Sequence, residues 1–134
     1  MNFDELTTTM DALLQEGKGF LAADESTNTI GKRLASIGVD NNEKNRRDYR
    51  LLLATTDELE KYINGVILFE ETFEQKDDNG TLIVDIFKEK GIVPGIKVDK
   101  GLVPLANTEN EKITQGIDGL HDRLLHFKKQ GAKF

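Results

Sequence analysis

The sequence predicts a parallel α/β fold, and three observations carry that expectation. Three short apolar runs, at residues 20–23, 63–69 and 92–98, have the length of buried strands. Stretches with helical spacing of apolar residues separate them. Apolar strands alternating with helices form a parallel sheet whose two faces are both covered.

The elements follow in order. Phe3, Leu6, Met10, Leu13 and Leu14 recur at helical spacing, which predicts an amphipathic helix over 3–15 that Gly17 and Gly19 end. Phe20-Leu21-Ala22-Ala23 is a buried strand closed by the polar loop Asp24-Glu25-Ser26, with a helix over 28–37 stopped by Gly38. Asp40 and Glu43 have capping-box spacing, so a helix over 41–55 is expected with Asp40 as its N-cap. On it Tyr49, Leu52 and Leu53 form the apolar side, and Arg46, Arg47 and Arg50 read as a solvated face or a subunit contact. The β-branched run 63–69 is the second strand. Asp77-Asp78-Asn79-Gly80 is a turn, a short helix runs to Lys90, and 92–98 is the third strand, locally weakened by Pro94 and Gly95. Ile117, Leu120, Leu124, Leu125 and Phe127 mark a last helix over about 117–129. Ala132-Lys133-Phe134 reads as a fourth strand just beginning.

An eight-stranded α/β barrel takes about 200–250 residues. At 134 residues with three strands, this chain supplies under half of one, and its stop within a fourth strand reads as truncation. Open sheet edges and uncovered helix faces would then leave the isolated chain marginally stable or molten.

Composition narrows the function. The formal charge of -6 argues against a nucleic-acid partner, and the absence of cysteine removes disulfides, thiolate metal sites and a cysteine nucleophile. No apolar run approaches the roughly 18–20 residues that cross a bilayer, and the acidic start lacks the features of a leader peptide, so a cytoplasmic protein is expected. No G-x-G-x-x-G or phosphate-binding P-loop motif occurs.

In parallel α/β folds ligands meet the carboxyl ends of the strands. The first strand ends at Asp24, with Ser26, Thr27, Thr29, Lys32 and Arg33 on the following helix. Hydroxyls and free N–H groups at a helix start, beside a Lys-Arg pair, suit a phosphate. Ordinary capping explains Ser26 and Thr27 without any ligand. Lys97, between Ile96 and Val98, either points inward toward Asp24 and an anion or snorkels at the strand end. Glu70 and Glu71 read as a helix-start acidic pair rather than an acid–base pair. His121 and His126 lack partners at metal-ligand spacing, so no metal is expected.

At this point the residues resemble a known family. Gly17-Lys18-Gly19-Phe20-Leu21-Ala22-Ala23-Asp24-Glu25-Ser26-Thr27, Lys32-Arg33-Leu34 and Glu43-Lys44-Asn45-Arg46-Arg47 are similar to segments of class I fructose-bisphosphate aldolases. So are Gly65-Val66-Ile67-Leu68-Phe69, Gly95-Ile96-Lys97-Val98-Asp99-Lys100-Gly101 and Thr114-Gln115-Gly116-Ile117-Asp118-Gly119-Leu120. The resemblance implies the N-terminal portion of a (β/α)8 TIM barrel, a homotetramer when full-length, that cleaves a phosphorylated sugar through a Schiff base and needs no metal or other cofactor. It implies that Asp24 lies beside the Schiff-base lysine and assists C–C cleavage, and that Lys97 contacts substrate in the active site. Ser26, Arg33 and, as a hydroxyl replacing serine, Thr29 are implied phosphate contacts, with Lys32 a neighbouring cation. The family's covalent lysine and catalytic glutamates match no position here, which implies inactivity of these residues alone. A non-catalytic phosphosugar-binding or aldolase-docking module is the alternative.

Overall fold

A computed structural model describes residues 3–134. Strands β1 (Gly19–Ala23), β2 (Ile63–Leu68) and β3 (Val93–Ile96) form a parallel sheet in that order. Helices α1 (Phe3–Leu13), α2 (Thr27–Ser36), α3 (Glu43–Ala54), α4 (Ile83–Glu89) and α5 (Leu120–Lys129) surround it. The crossover from β1 to β2 carries α2 and α3, and that from β2 to β3 carries α4.

The register decides which residues are core. Leu21, Val66 and Pro94 stand side by side, then Ala22, Ile67 and Gly95, then Ala23, Leu68 and Ile96. Because strand side chains alternate between faces, the first and third rows share one face. That face packs under the helices, where Ala23, Val66, Leu68 and Ile96 join Ala54, Phe73, Ile83, Val84, Phe87 and Phe127 in one core. Such burial explains why the strands read as near-continuous apolar runs.

The opposite face is more open and depends on two glycines. A Cβ at Gly65 would lie 2.7 Å from the Phe20 ring and 2.9 Å from Leu13, and one at Gly95 would lie 2.6 Å from the Phe134 ring. Their absence lets Phe20 and Phe134 lie across the sheet, where they meet edge to face with ring centroids 5.6 Å apart. The chain end runs along the outer edge of β3, with Lys133 N–H donating to the Pro94 carbonyl at 2.8 Å and Ile96 N–H to that of Phe134 at 2.9 Å. The expected fourth strand is thus placed beside β3 as a hydrogen-bonded segment.

Several details depart from the sequence reading. The N-cap of α3 is Asn42, whose side chain accepts the Asn45 N–H at 2.9 Å, and not Asp40. Asn42 directly precedes the helical backbone in an extended conformation, which a cap requires, so it wins over a residue two positions upstream. Helix α5 starts at Leu120 rather than Ile117, because Gly119 takes a left-handed conformation at φ 66°. The helical spacing of α1 holds, yet none of its residues is buried and Phe3, Leu6 and Met10 are exposed. An antiparallel pair, β4 (Leu102–Pro104) with β5 (Lys112–Thr114), was not expected from the sequence. Arg50 is buried rather than on a solvated face.

Phe87 is fully buried in the core, whereas Leu52 is 66% exposed. Phe87→Ala is expected to cost about 3–5 kcal/mol and Leu52→Ala under about 0.5 kcal/mol. Urea unfolding followed by circular dichroism checks this, and equal losses would contradict the core assignment.

Candidate functional site

The alternation that buries Ala23, Leu68 and Ile96 turns the next residues, Asp24, Phe69 and Lys97, toward the other face. They meet at the carboxyl ends of the strands. There Asp24, Glu25, Ser26, Thr29, Phe69, Glu70, Lys97 and Asp99 help line an open cleft of about 840 Å³.

Ser26 is the N-cap of α2: its Oγ accepts the Thr29 N–H at 3.4 Å and lies 3.1 Å from Thr29 Oγ1. Capping and cleft-lining are therefore properties of the same hydroxyls. Lys97 extends the β2–β3 ladder by donating its N–H to the Leu68 carbonyl at 3.0 Å. Its ammonium is paired with Asp99, whose other oxygen accepts the Gly101 N–H at 3.0 Å. The Lys97 hydrogen bond, then that of Gly101, holds the Asp99 carboxyl below its ordinary value. Lys100 spans from the β3 end to Glu70 at 2.6 Å.

The loop is also anchored from behind. Arg50 Nη1 donates to Glu25 Oε2 at 2.6 Å and Nη2 to the Glu25 carbonyl at 2.9 Å, while Tyr49 Oη reaches Glu25 Oε1 at 3.4 Å. Arg33 does not line the cleft; it pairs with Glu25 from outside, and Lys32 is exposed on α2 away from the cleft lining. Glu70 and Glu71 open a single 3-10 turn, as an acidic helix start, and Glu71 takes a two-pronged contact from Arg46 at 2.6–3.2 Å. His126, paired with Glu74 at 3.2 Å, lies outside the cleft lining.

Glu25 and Asp99 were not given site roles from the sequence, and Arg50 was read with Arg46 and Arg47 as a solvated face or a subunit contact. A signal existed for Arg50, because Arg46 and Arg50 are four apart and so share one helix face. Both turn inward to carboxylates. Asp99 is two residues from Lys97, the spacing of same-face neighbours on an extended chain.

Burial alone would raise the Glu25 carboxyl, but its own backbone N–H, Arg50 and Arg33 together hold it below its ordinary 4.5. The lowered folded value means that the ionised form stabilises the fold fully above about pH 4.5, and that this contribution is lost as pH falls through the folded value. Urea midpoints measured from pH 7 to pH 3 should show Glu25→Gln less stable at pH 7 and with a shallower acid limb below pH 4.5. An acid limb as steep as the parent's would contradict this.

The family model "Fructose-bisphosphate aldolase class-I" matches residues 5–134. Fructose-bisphosphate aldolase 1 of Caenorhabditis elegans is 54% identical over 132 residues, which cover 98% of this chain and 36% of that protein. The chloroplastic fructose-bisphosphate aldolase of Oryza sativa subsp. japonica is 56% identical over 131 residues, covering 98% and 34%. The chain thus spans about a third of the length of these relatives. A solved fructose-bisphosphate aldolase of Plasmodium falciparum, in complex with TRAP and a small-molecule inhibitor, superposes with a TM-score of 0.93 at 52% identity, over 98% of this chain and 38% of the other. That agreement in sequence and backbone places the chain in the class I fructose-bisphosphate aldolase family.

Proposed function

We propose that these residues carry part of the active site of a fructose-bisphosphate aldolase, which reversibly splits fructose 1,6-bisphosphate into dihydroxyacetone phosphate and glyceraldehyde 3-phosphate. The observation that supports this reading best is the meeting of Asp24 and Lys97 in one cleft with the Ser26 and Thr29 hydroxyls. A sugar bisphosphate offers that cleft hydroxyls for an acid and a cation, and phosphate oxygens for hydroxyls and guanidinium groups.

In the proposed reaction Asp24 acts at the bond being cleaved, beside the lysine that forms the Schiff base. Lys97 presents its ammonium to a substrate oxygen. Its Asp99 partner, held by the Gly101 N–H, fixes where that ammonium stands. Ser26 and Thr29 receive a phosphate, with Arg33 reaching it from the flank and Lys32 adding positive charge nearby. No lysine among these residues corresponds to the family's covalent amine. The same proposal includes a homotetrameric, cytoplasmic protein. No helix among the described residues is long and apolar enough to cross a membrane.

The 134 residues as a separate polypeptide are expected to give no retro-aldol turnover, because losing an essential covalent group removes most of a rate enhancement of roughly 10⁶-fold or more. A coupled assay for triose phosphates, with borohydride trapping and mass spectrometry, checks this. Turnover, or a sugar adduct trapped on any of these lysines, would overturn the assignment of roles.

A further inference from the structure

Glu25 faces two guanidinium groups of opposite accessibility. The Arg50 side chain is 5% exposed and that of Arg33 is 59% exposed, while the Glu25 side chain between them is 8% exposed. A carboxylate so enclosed must keep a counter-charge, since removing its partner leaves a buried charge uncompensated. Were Arg33 the sole partner, its departure toward any other anion would impose that cost. Arg50 removes the constraint. It is buried on α3 and gripped twice, through the carboxylate and through the Glu25 carbonyl.

Arg33 lies four residues beyond Thr29 on α2, so the two share a helix face. Thr29, Ser26 and Glu25 all line the cleft. The Arg33 guanidinium is therefore at the flank of the hydroxyls that suit a phosphate, and its planar fork matches phosphate geometry. An ion pair as exposed on one side as Arg33–Glu25 is readily traded for a stronger anion.

We propose that Arg50 is a positioning residue, the resident counter-ion of Glu25, and that Arg33 is the exchangeable one, leaving Glu25 to bind a phosphate of a sugar bisphosphate at the cleft. The lowered Glu25 carboxyl accords with this, because the group stays ionised throughout the exchange. The proposal rests on the functional reading above.

The uniformly nitrogen-15-labelled chain titrated with fructose 1,6-bisphosphate tests it by NMR, with unphosphorylated fructose as control. The Arg33 Nε–H signal should shift with the bisphosphate while that of Arg50 stays, and fructose should move neither. Arg50→Met should weaken bisphosphate binding about five- to thirty-fold by leaving Glu25 dependent on Arg33. In an Arg33→Met background that weakening should disappear, which a general loss of positive charge would not produce. If Arg50→Met unfolds, the pair Glu25→Gln/Arg50→Met removes both charges and should bind at least as tightly as the parent. Shifts at Ser26 and Thr29 without one at Arg33, weakening that persists without Arg33, or a weaker-binding double variant would each overturn the exchange while leaving the cleft assignment standing. If no cleft amide responds, the cleft assignment falls and the exchange with it.

Discussion

The common register of three parallel strands is the constraint from which the rest of the molecule follows. One row, Ala23, Leu68 and Ile96, is sealed beneath the helices. Backbone alternation then leaves the next row no choice of direction, so Asp24, Phe69 and Lys97 emerge together on the open side. A slip of one residue in β1 or β3 would turn Asp24 or Lys97 toward the core, which is why the apolar face pins the register so firmly. Chemistry at the strand ends is thus a by-product of packing in the strand middles.

Around that row the electrostatics are arranged in pairs. Lys97 is matched by Asp99, Lys100 by Glu70, Arg46 by Glu71 and Arg50 by Glu25. Each of these pairs ties a strand-end loop to another element or to its own backbone. With these contacts the loops bearing Asp24 and Lys97 are braced, and a ligand meets groups already oriented. The net charge of -6 gives no hint of this local order.

The strands were legible because burial on both faces forces contiguous apolar residues into the sequence. Lys97 stood out for the converse reason, as a charge inside such a run. The β4–β5 pair was not legible: its three-residue strands are largely exposed and carry no apolar period. Helix α1 shows the limit of periodicity, since spacing reveals an apolar face but not whether anything covers it. Arg50 looked like a surface arginine because its partner lies 25 residues away, and only the fold brings them together. Asp24 and Lys97 were visible as candidates from strand-end logic, whereas their assigned roles came from the family resemblance.

The crossover between β1 and β2 has a consequence for synthesis on the ribosome. Among the described residues, strand β1 pairs along its length with β2, and residues 24–62, with α2 and α3, separate the two. At about 5–20 residues per second the nascent chain leaves Phe20, Leu21 and Ala22 without their neighbour for a few seconds. During that interval the apolar segment is a target for chaperones or for another nascent strand. Arg50 of α3 emerges shortly before β2 does, so it can reach Glu25, just past the end of β1, before β1 meets its partner strand.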